Sequence, residues 1–120
     1  MVVRNVDQVK VLRTKHGKRV QWLLATEDGT PNFEMRYFEV VRGNPGRSES
    51  HPFEHEVFVL RGEGIVRSDT EEHRVSRGDA ILILPNEPHQ FINEAEEPLG
   101  FICIIPNGCE DHVKRLPEAD

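Results

Sequence analysis

The segment Glu49-Ser50-His51-Pro52-Phe53-Glu54-His55-Glu56-Val57-Phe58-Val59-Leu60-Arg61-Gly62 sets two histidines among acids, then runs into β-branched and aromatic residues before a glycine. Alternate side chains of a strand share one face. Glu49, His51, His55, Val57 and Val59 have one parity, whereas Glu54 and Glu56 have the other and are expected in solvent. If the strand runs on through a bend at Pro52, then Glu49, His51 and His55 face one interior, and Val57 and Val59 continue that face as an apolar wall.

A second segment follows, from Gly78 to Asn93. Here Pro85-Asn86-Glu87-Pro88 turns the chain and His89 opens the next run, with Phe91 on the same face. Glycine and proline punctuate the rest at short intervals, at Gly29-Thr30-Pro31, Gly43-Asn44-Pro45-Gly46 and Gly62-Glu63-Gly64. Between them lie β-rich runs at Val20–Ala25, Phe33–Val41, Gly64–Ser68, His73–Val75, Ala80–Leu84, His89–Asn93 and Leu99–Ile105. Many short strands with frequent turns predict an all-β chain, a closed or nearly closed barrel of about eight or more strands. Ala80–Leu84 and Phe101–Ile105 are continuously apolar, which predicts cover on both faces. Val6–Leu12 is rich in β-branched residues and is expected to be extended, while Asp111–Leu116 offers one terminal turn before a polar, fraying tail.

The chain has 120 residues, with 37% hydrophobic and 30% charged residues. That size and balance predict one globular domain over 1–120, with an N-terminal strand at 2–12 and a tail at 107–120. No apolar run approaches the roughly 18 residues of a membrane span, and no signal peptide is evident, so the expected compartment is the cytoplasm. The formal net charge of −6 offers no basic stripe and argues against nucleic-acid binding. Cys103 and Cys109 are too few to staple the domain, and no CxxC pair offers a zinc knuckle.

The two histidine segments resemble the paired motifs of the cupin superfamily, over roughly residues 33–106. The first is similar to cupin motif 1, in particular to small single-domain cupins of the HxHPWEHEIFVLxG type; the second is similar to motif 2. His51 matches the second histidine of motif 1, and His55, seven residues before Gly62, stands in the place of the usual glutamate ligand. His89 matches the motif-2 histidine, and Asn93 the terminal asparagine, which in the family is not a ligand. The chain departs at position 49, where Glu49 replaces the first histidine, and near Glu87, where motif 2 has a glycine. The resemblance implies a cupin β-barrel (a jelly roll, or double-stranded β-helix). It also implies one divalent transition metal held by Glu49, His51, His55 and His89, with manganese or iron favoured and zinc, nickel, cobalt or copper compatible with the same donors.

A carboxylate at position 49 can ligate a divalent ion directly. Alternatively the site has three histidines, with Glu49 beside them as an acceptor or a catalytic general base. A lone histidine would read as a loop residue; it is the spacing of these three that points to metal. His16, His73 and His112 are expected at the surface. Parity puts Phe91 on the face of His89, Cys103 with Phe101, and Arg36 with Phe38. The resemblance directs Phe101 and Cys103 toward the metal and matches Arg36 to an arginine of the subtype, so the four are expected around the pocket. Arg36 would bind an anionic group or make a structural ion pair; Cys103 would line the pocket or simply fill the core. Trp22 and Tyr37 are assigned to packing or an interface. The implied function is a metal-dependent oxidoreductase of dioxygenase type acting on a small organic substrate. A non-catalytic binding or sensor module and a sugar or keto-acid isomerase are the other classes. A homodimer is implied, with Val2–Leu12 apolar enough to take part.

Overall fold

The structure of the chain, a computed structural model, describes residues 1–14, 18–43 and 47–109. His16, the centre of the Gly43–Gly46 turn, the terminal turn expected over 111–116 and His112 lie outside the described residues. Among the described residues nine strands alternate with turns: β1 Leu12–Arg13, β2 Arg19–Leu24, β3 Phe33–Val40, β4 His55–Arg61, β5 Glu63–Arg67, β6 Glu72–Ser76, β7 Ala80–Ile83, β8 Gln90–Ile92 and β9 Leu99–Pro106. Two short 3-10 turns, Val6–Gln8 and Thr26–Asp28, are the remaining regular elements, and no α-helix occurs among the described residues. The all-β expectation holds. Within 2–12, expected as strand, Val6–Gln8 instead make a turn, capped by the Asn5 side chain accepting from the Asp7 N–H, and pairing begins only at Leu12.

Six strands form one antiparallel sheet in the order β1-β2-β3-β9-β4-β7, and β6-β5-β8 form a second. Side chains from both sheets meet in one core: Val20, Phe38, Val40, Val57, Val59, Ile83, Leu99, Phe101, Cys103 and Ile105 from the first, Val66, Val75 and Phe91 from the second. The register aligns the inward rows. Arg36 sits opposite Cys103, and Cys103 opposite Val57. One row further on, Phe38 faces Phe101 and Phe101 faces Val59. The two strands β3 and β9 end in the pair Val40 and Leu99.

Alternation explains the burial. In β4 His55, Val57 and Val59 are buried and Glu56, Phe58 and Leu60 are exposed, as period-two geometry requires. The cover expected on both faces of Ala80–Leu84 is not found: Ile83 is buried, but Leu82 and Leu84 are 57% and 54% exposed. β7 is the edge strand of its sheet, and its outward side chains meet no layer among the described residues. In β9, Phe101, Cys103 and Ile105 are buried while Ile102 and Ile104 are half-buried.

Gly62, where β4 turns into β5, has φ +74, and a Cβ there would overlap the Pro98 carbonyl oxygen. Only glycine takes this conformation and this approach without strain. Nearby, the buried Asn93 donates through Nδ2 to the Val40 and Glu97 carbonyls, while its Oδ1 accepts from the Ala95 N–H. It thus acts as a structural strut, in line with its non-ligand place in the motif.

Candidate metal centre

His55 begins β4 and points inward because it shares the parity of Val57. His51 lies just upstream, beyond the Pro52–Phe53 bend, rather than on a continuous strand. His89 follows the Pro85–Pro88 turn, in which Asn86 takes φ +66. Main-chain bonds hold the two histidine segments together. The Glu49 N–H donates to the His89 carbonyl at 2.9 Å and the His89 N–H to the Glu49 carbonyl at 2.8 Å. The Asn86 N–H donates to the His51 carbonyl at 2.6 Å.

The three rings converge. Their centroids lie 5.1 Å (His51 to His55), 5.3 Å (His51 to His89) and 5.1 Å (His55 to His89) apart. One donor nitrogen from each falls within 4.8 Å of the others. Three imidazoles on a single ion, at about 2.0–2.1 Å each, have nitrogens separated by about 3–4 Å, so the trio has the dimensions of a shared site.

The orientation of the nitrogens agrees. His89 Nδ1 lies 3.0 Å from the Glu87 carbonyl oxygen, which can only accept, so Nδ1 carries the proton and Nε2 is left with its lone pair. His55 Nδ1 faces Cys103 Sγ at 3.2 Å. His55 Nε2 is buried with no hydrogen-bond partner. An orphaned buried nitrogen is costly, and a cation would satisfy it. Burial, followed by the Arg36 charge, pushes the His55 pKa down to about 2, and burial also lowers that of His89 against the opposing bond to Glu87. Both rings are therefore neutral at pH 7, as metal ligation requires.

Glu49 lies beside this trio and outside the group of mutually close donors. Its Oε1 is 3.3 Å from His51 Nε2, and its Oε2 accepts from Lys18 Nζ at 3.0 Å. Burial works to raise its pKa, yet the bond with His51 and the charge of Lys18 outweigh it and hold the carboxyl well below the usual range. The site thus contains an ionised carboxylate anchored at one oxygen by an ammonium.

A cavity of about 40 Å³ opens onto the trio. The expected lining residues Arg36, Phe91, Phe101 and Cys103 all border it, with Val57; Val59 does not, and packs deeper against the core. Phe91 and Phe101 stack at 4.4 Å and Phe38 stacks on Phe101 at 5.5 Å, so one wall is continuous aromatic surface. Arg36 is 2% exposed, lies over the Phe38 and Trp22 rings, and donates to Cys103 Sγ at 3.1 Å. Tyr37 is half-buried and donates to Glu39, and His73 is exposed beside Glu71.

Lys18 and Thr14 also border the cavity and were missed in the sequence, where Lys18 sits in a polar surface-like run. They reach the site because Leu12–Arg13 pairs back onto Val20–Arg19, which no local pattern announces. A larger groove of about 400 Å³ between β6 and β7 shares Ile83 and His89 with the site cavity.

Comparison with known proteins agrees with this architecture. The family described as Cupin domain matches residues 36–105. Over 87 residues the chain is 36% identical to 1-methylthio-D-xylulose 5-phosphate methylsulfurylase of Rhodospirillum rubrum, covering 72% of this chain and 55% of that protein. The chain therefore spans about half the length of this curated relative. The polyketide cyclase RemF from Streptomyces resistomycificus superposes with a TM-score of 0.82 at 27% identity, covering 92% of this chain and 80% of that one. A cupin 2 domain-containing protein from Halorhodospira halophila gives 0.73 at 32% identity, covering 93% and 83%.

Proposed function

Since this chain belongs to the cupin domain family, we propose that it is a divalent-metal-dependent protein acting on a small oxygenated organic ligand. In this reading His51, His55 and His89 hold the ion and Glu49 handles a proton. The observation that carries it is the buried, unpartnered Nε2 of His55 inside a converging histidine trio, next to a carboxylate fixed by Lys18. Manganese or iron is the favoured ion, and the donor set also accommodates zinc, nickel, cobalt and copper. A bound ion of this kind supplies Lewis acidity to a ligand oxygen.

The chain's own residues define the rest. Glu49 is ionised and therefore a proton acceptor, and Lys18 keeps its second oxygen from swinging away. Lys18 and Arg36 supply positive potential for an anionic or enolate-like group, while the aromatic wall excludes water. The cavity of about 40 Å³ admits little beyond an ion and a small group, so the remainder of a larger ligand would lie in the adjoining groove. The Rhodospirillum rubrum relative is named for a ketose phosphate, a compound class in keeping with proton-transfer chemistry. A second reading, oxygen-dependent cleavage of the dioxygenase type, is favoured by the stacked Phe38, Phe101 and Phe91 beside the trio.

Manganese- or iron-loaded protein is offered small hydroxyketones and diketones in D2O. Proton transfer predicts anaerobic deuterium incorporation that falls at least 100-fold in Glu49→Gln, whereas the second reading predicts oxygen uptake. Full exchange in Glu49→Gln, or no metal uptake by the wild type, overturns the first assignment. The outward side chains Phe58, Leu60, Leu82 and Leu84 support a homodimer, which light scattering tests.

A further inference from the structure

Two atoms lie within reach of His55 Nδ1, and they are chemically unlike. Cys103 Sγ is 3.2 Å away and Arg36 Nη2 is 3.4 Å away. A guanidinium nitrogen has protons to donate and no lone pair to accept with, whereas sulfur can accept. Arg36 as donor therefore demands a bare Nδ1, whereas sulfur acting as acceptor permits the opposite tautomer of the ring. If Arg36 donates to Nδ1, the ring proton moves to Nε2, the buried nitrogen that has no hydrogen-bond partner, and no lone pair is left for an ion there. If Nδ1 instead carries the proton and donates to Sγ, Nε2 is bare and ready to ligate.

Sulfur also engages the competitor, since Arg36 Nη2 donates to the same Sγ at 3.1 Å, closer than it stands to Nδ1. We propose that Cys103 is a positioning residue: by accepting from both Arg36 Nη2 and His55 Nδ1 it diverts the guanidinium from the ring and locks His55 in the metal-ready tautomer. The inference rests on the metal reading above and adds a role to a residue that otherwise only lines the cavity. Partners of the non-ligating nitrogen set both the orientation and the basicity of a ligating histidine, and their loss typically weakens metal binding 10- to 100-fold. Here the loss has a second component, because removing Sγ releases a donor that stabilises the wrong tautomer.

The test uses Zn(II) competition titrations together with long-range 1H–15N spectra of the metal-free, 15N-histidine-labelled protein. The expected wild-type spectrum shows His55 protonated at Nδ1. Cys103→Ala is expected to move the proton toward Nε2 and to weaken zinc binding about 10- to 100-fold. Cys103→Ser, which keeps an acceptor, is expected to stay within a few-fold of wild type. The double variant Cys103→Ala/Arg36→Met removes both the acceptor and the competing donor, and is expected to recover part of the loss. A merely structural role for Cys103 predicts no such recovery. The inference is overturned if wild-type His55 carries its proton on Nε2, if Cys103→Ala leaves tautomer and affinity unchanged, or if the double variant binds no better than Cys103→Ala. Should the wild type take up no zinc while His51→Ala behaves identically, the metal reading fails, and the tautomer spectra of the metal-free proteins still decide this inference.

Discussion

The same three strands build both ends of the barrel, and they build them differently. Along β4 the inward side chains run His55, Val57, Val59; along β3 they run Arg36, Phe38, Val40; along β9 they run Cys103, Phe101, Leu99. At one end these rows give imidazole, guanidinium and thiol around a cavity. Four residues along, about 13 Å away at 3.3 Å per residue, they give only hydrocarbon, and Val40, Val59 and Leu99 are wholly buried. The packed end is closed further by Gly62 against Pro98 and by the Asn93 strut. One end is packed with hydrocarbon alone, whereas the other holds groups that cost energy to bury.

The comparison breaks most easily at the packed end. Leu99→Ala is expected to destabilise the chain by about 2–5 kcal/mol, the range for a buried leucine replaced by a cavity. Gly62→Ala should cost about 3 kcal/mol through its φ and the Pro98 overlap. In both variants the molecules that remain folded should still take up metal; urea titrations and elemental analysis measure the two effects separately. Coupled loss of metal and stability would show that the ends are not independent.

At the open end the pattern reverses. His51→Ala should lower metal affinity at least 100-fold while moving the stability of the metal-free chain by less than about 1 kcal/mol, because a half-buried polar ring is lost rather than core volume. Equal metal content in wild type and variant would remove His51 from the site.

The next effect is smaller and depends on pH. The folded-state value of His55 lies near 2 against 6.5 for the free side chain. Below pH 6.5 the unfolded chain takes up a proton that the folded chain refuses, so stability falls as pH falls between 6.5 and 2. One such group contributes about 1.4 kcal/mol per pH unit. Denaturation midpoints of metal-free protein at pH 7, 6 and 5 should decline accordingly, and His55→Leu should flatten the slope. The smallest effect concerns Lys18. Lys18→Met removes one of the influences holding the Glu49 carboxyl low and leaves burial less opposed, so its titration should move upward in a 13C carboxyl experiment, with the melting temperature nearly unchanged.

Much of this division can be read from residue order. Glycine and proline spacing marks eight of the nine strands among the described residues, and parity groups the side chains that share the inward faces of β3, β4 and β9. The histidine trio is legible because two residues sit upstream of, and at the start of, a strongly patterned strand and the third follows a proline turn. What sequence does not carry is the contact between elements far apart in the chain. Lys18 meets Glu49 across 31 positions, and Cys103 meets His55 across 48. Both depend on sheet order rather than on local pattern. The outward faces of β7 and β9 mislead for a related reason: a continuous apolar run records that a residue type is present, and the neighbouring layer decides whether it is covered.

The pair of main-chain bonds between residues 49 and 89 has one more consequence. Because the clasp uses peptide groups alone, it places whatever side chain stands at position 49 without asking what that side chain is. An imidazole and a carboxylate are interchangeable there as far as the frame is concerned, and the chemistry of the centre can be retuned without rebuilding the barrel that carries it.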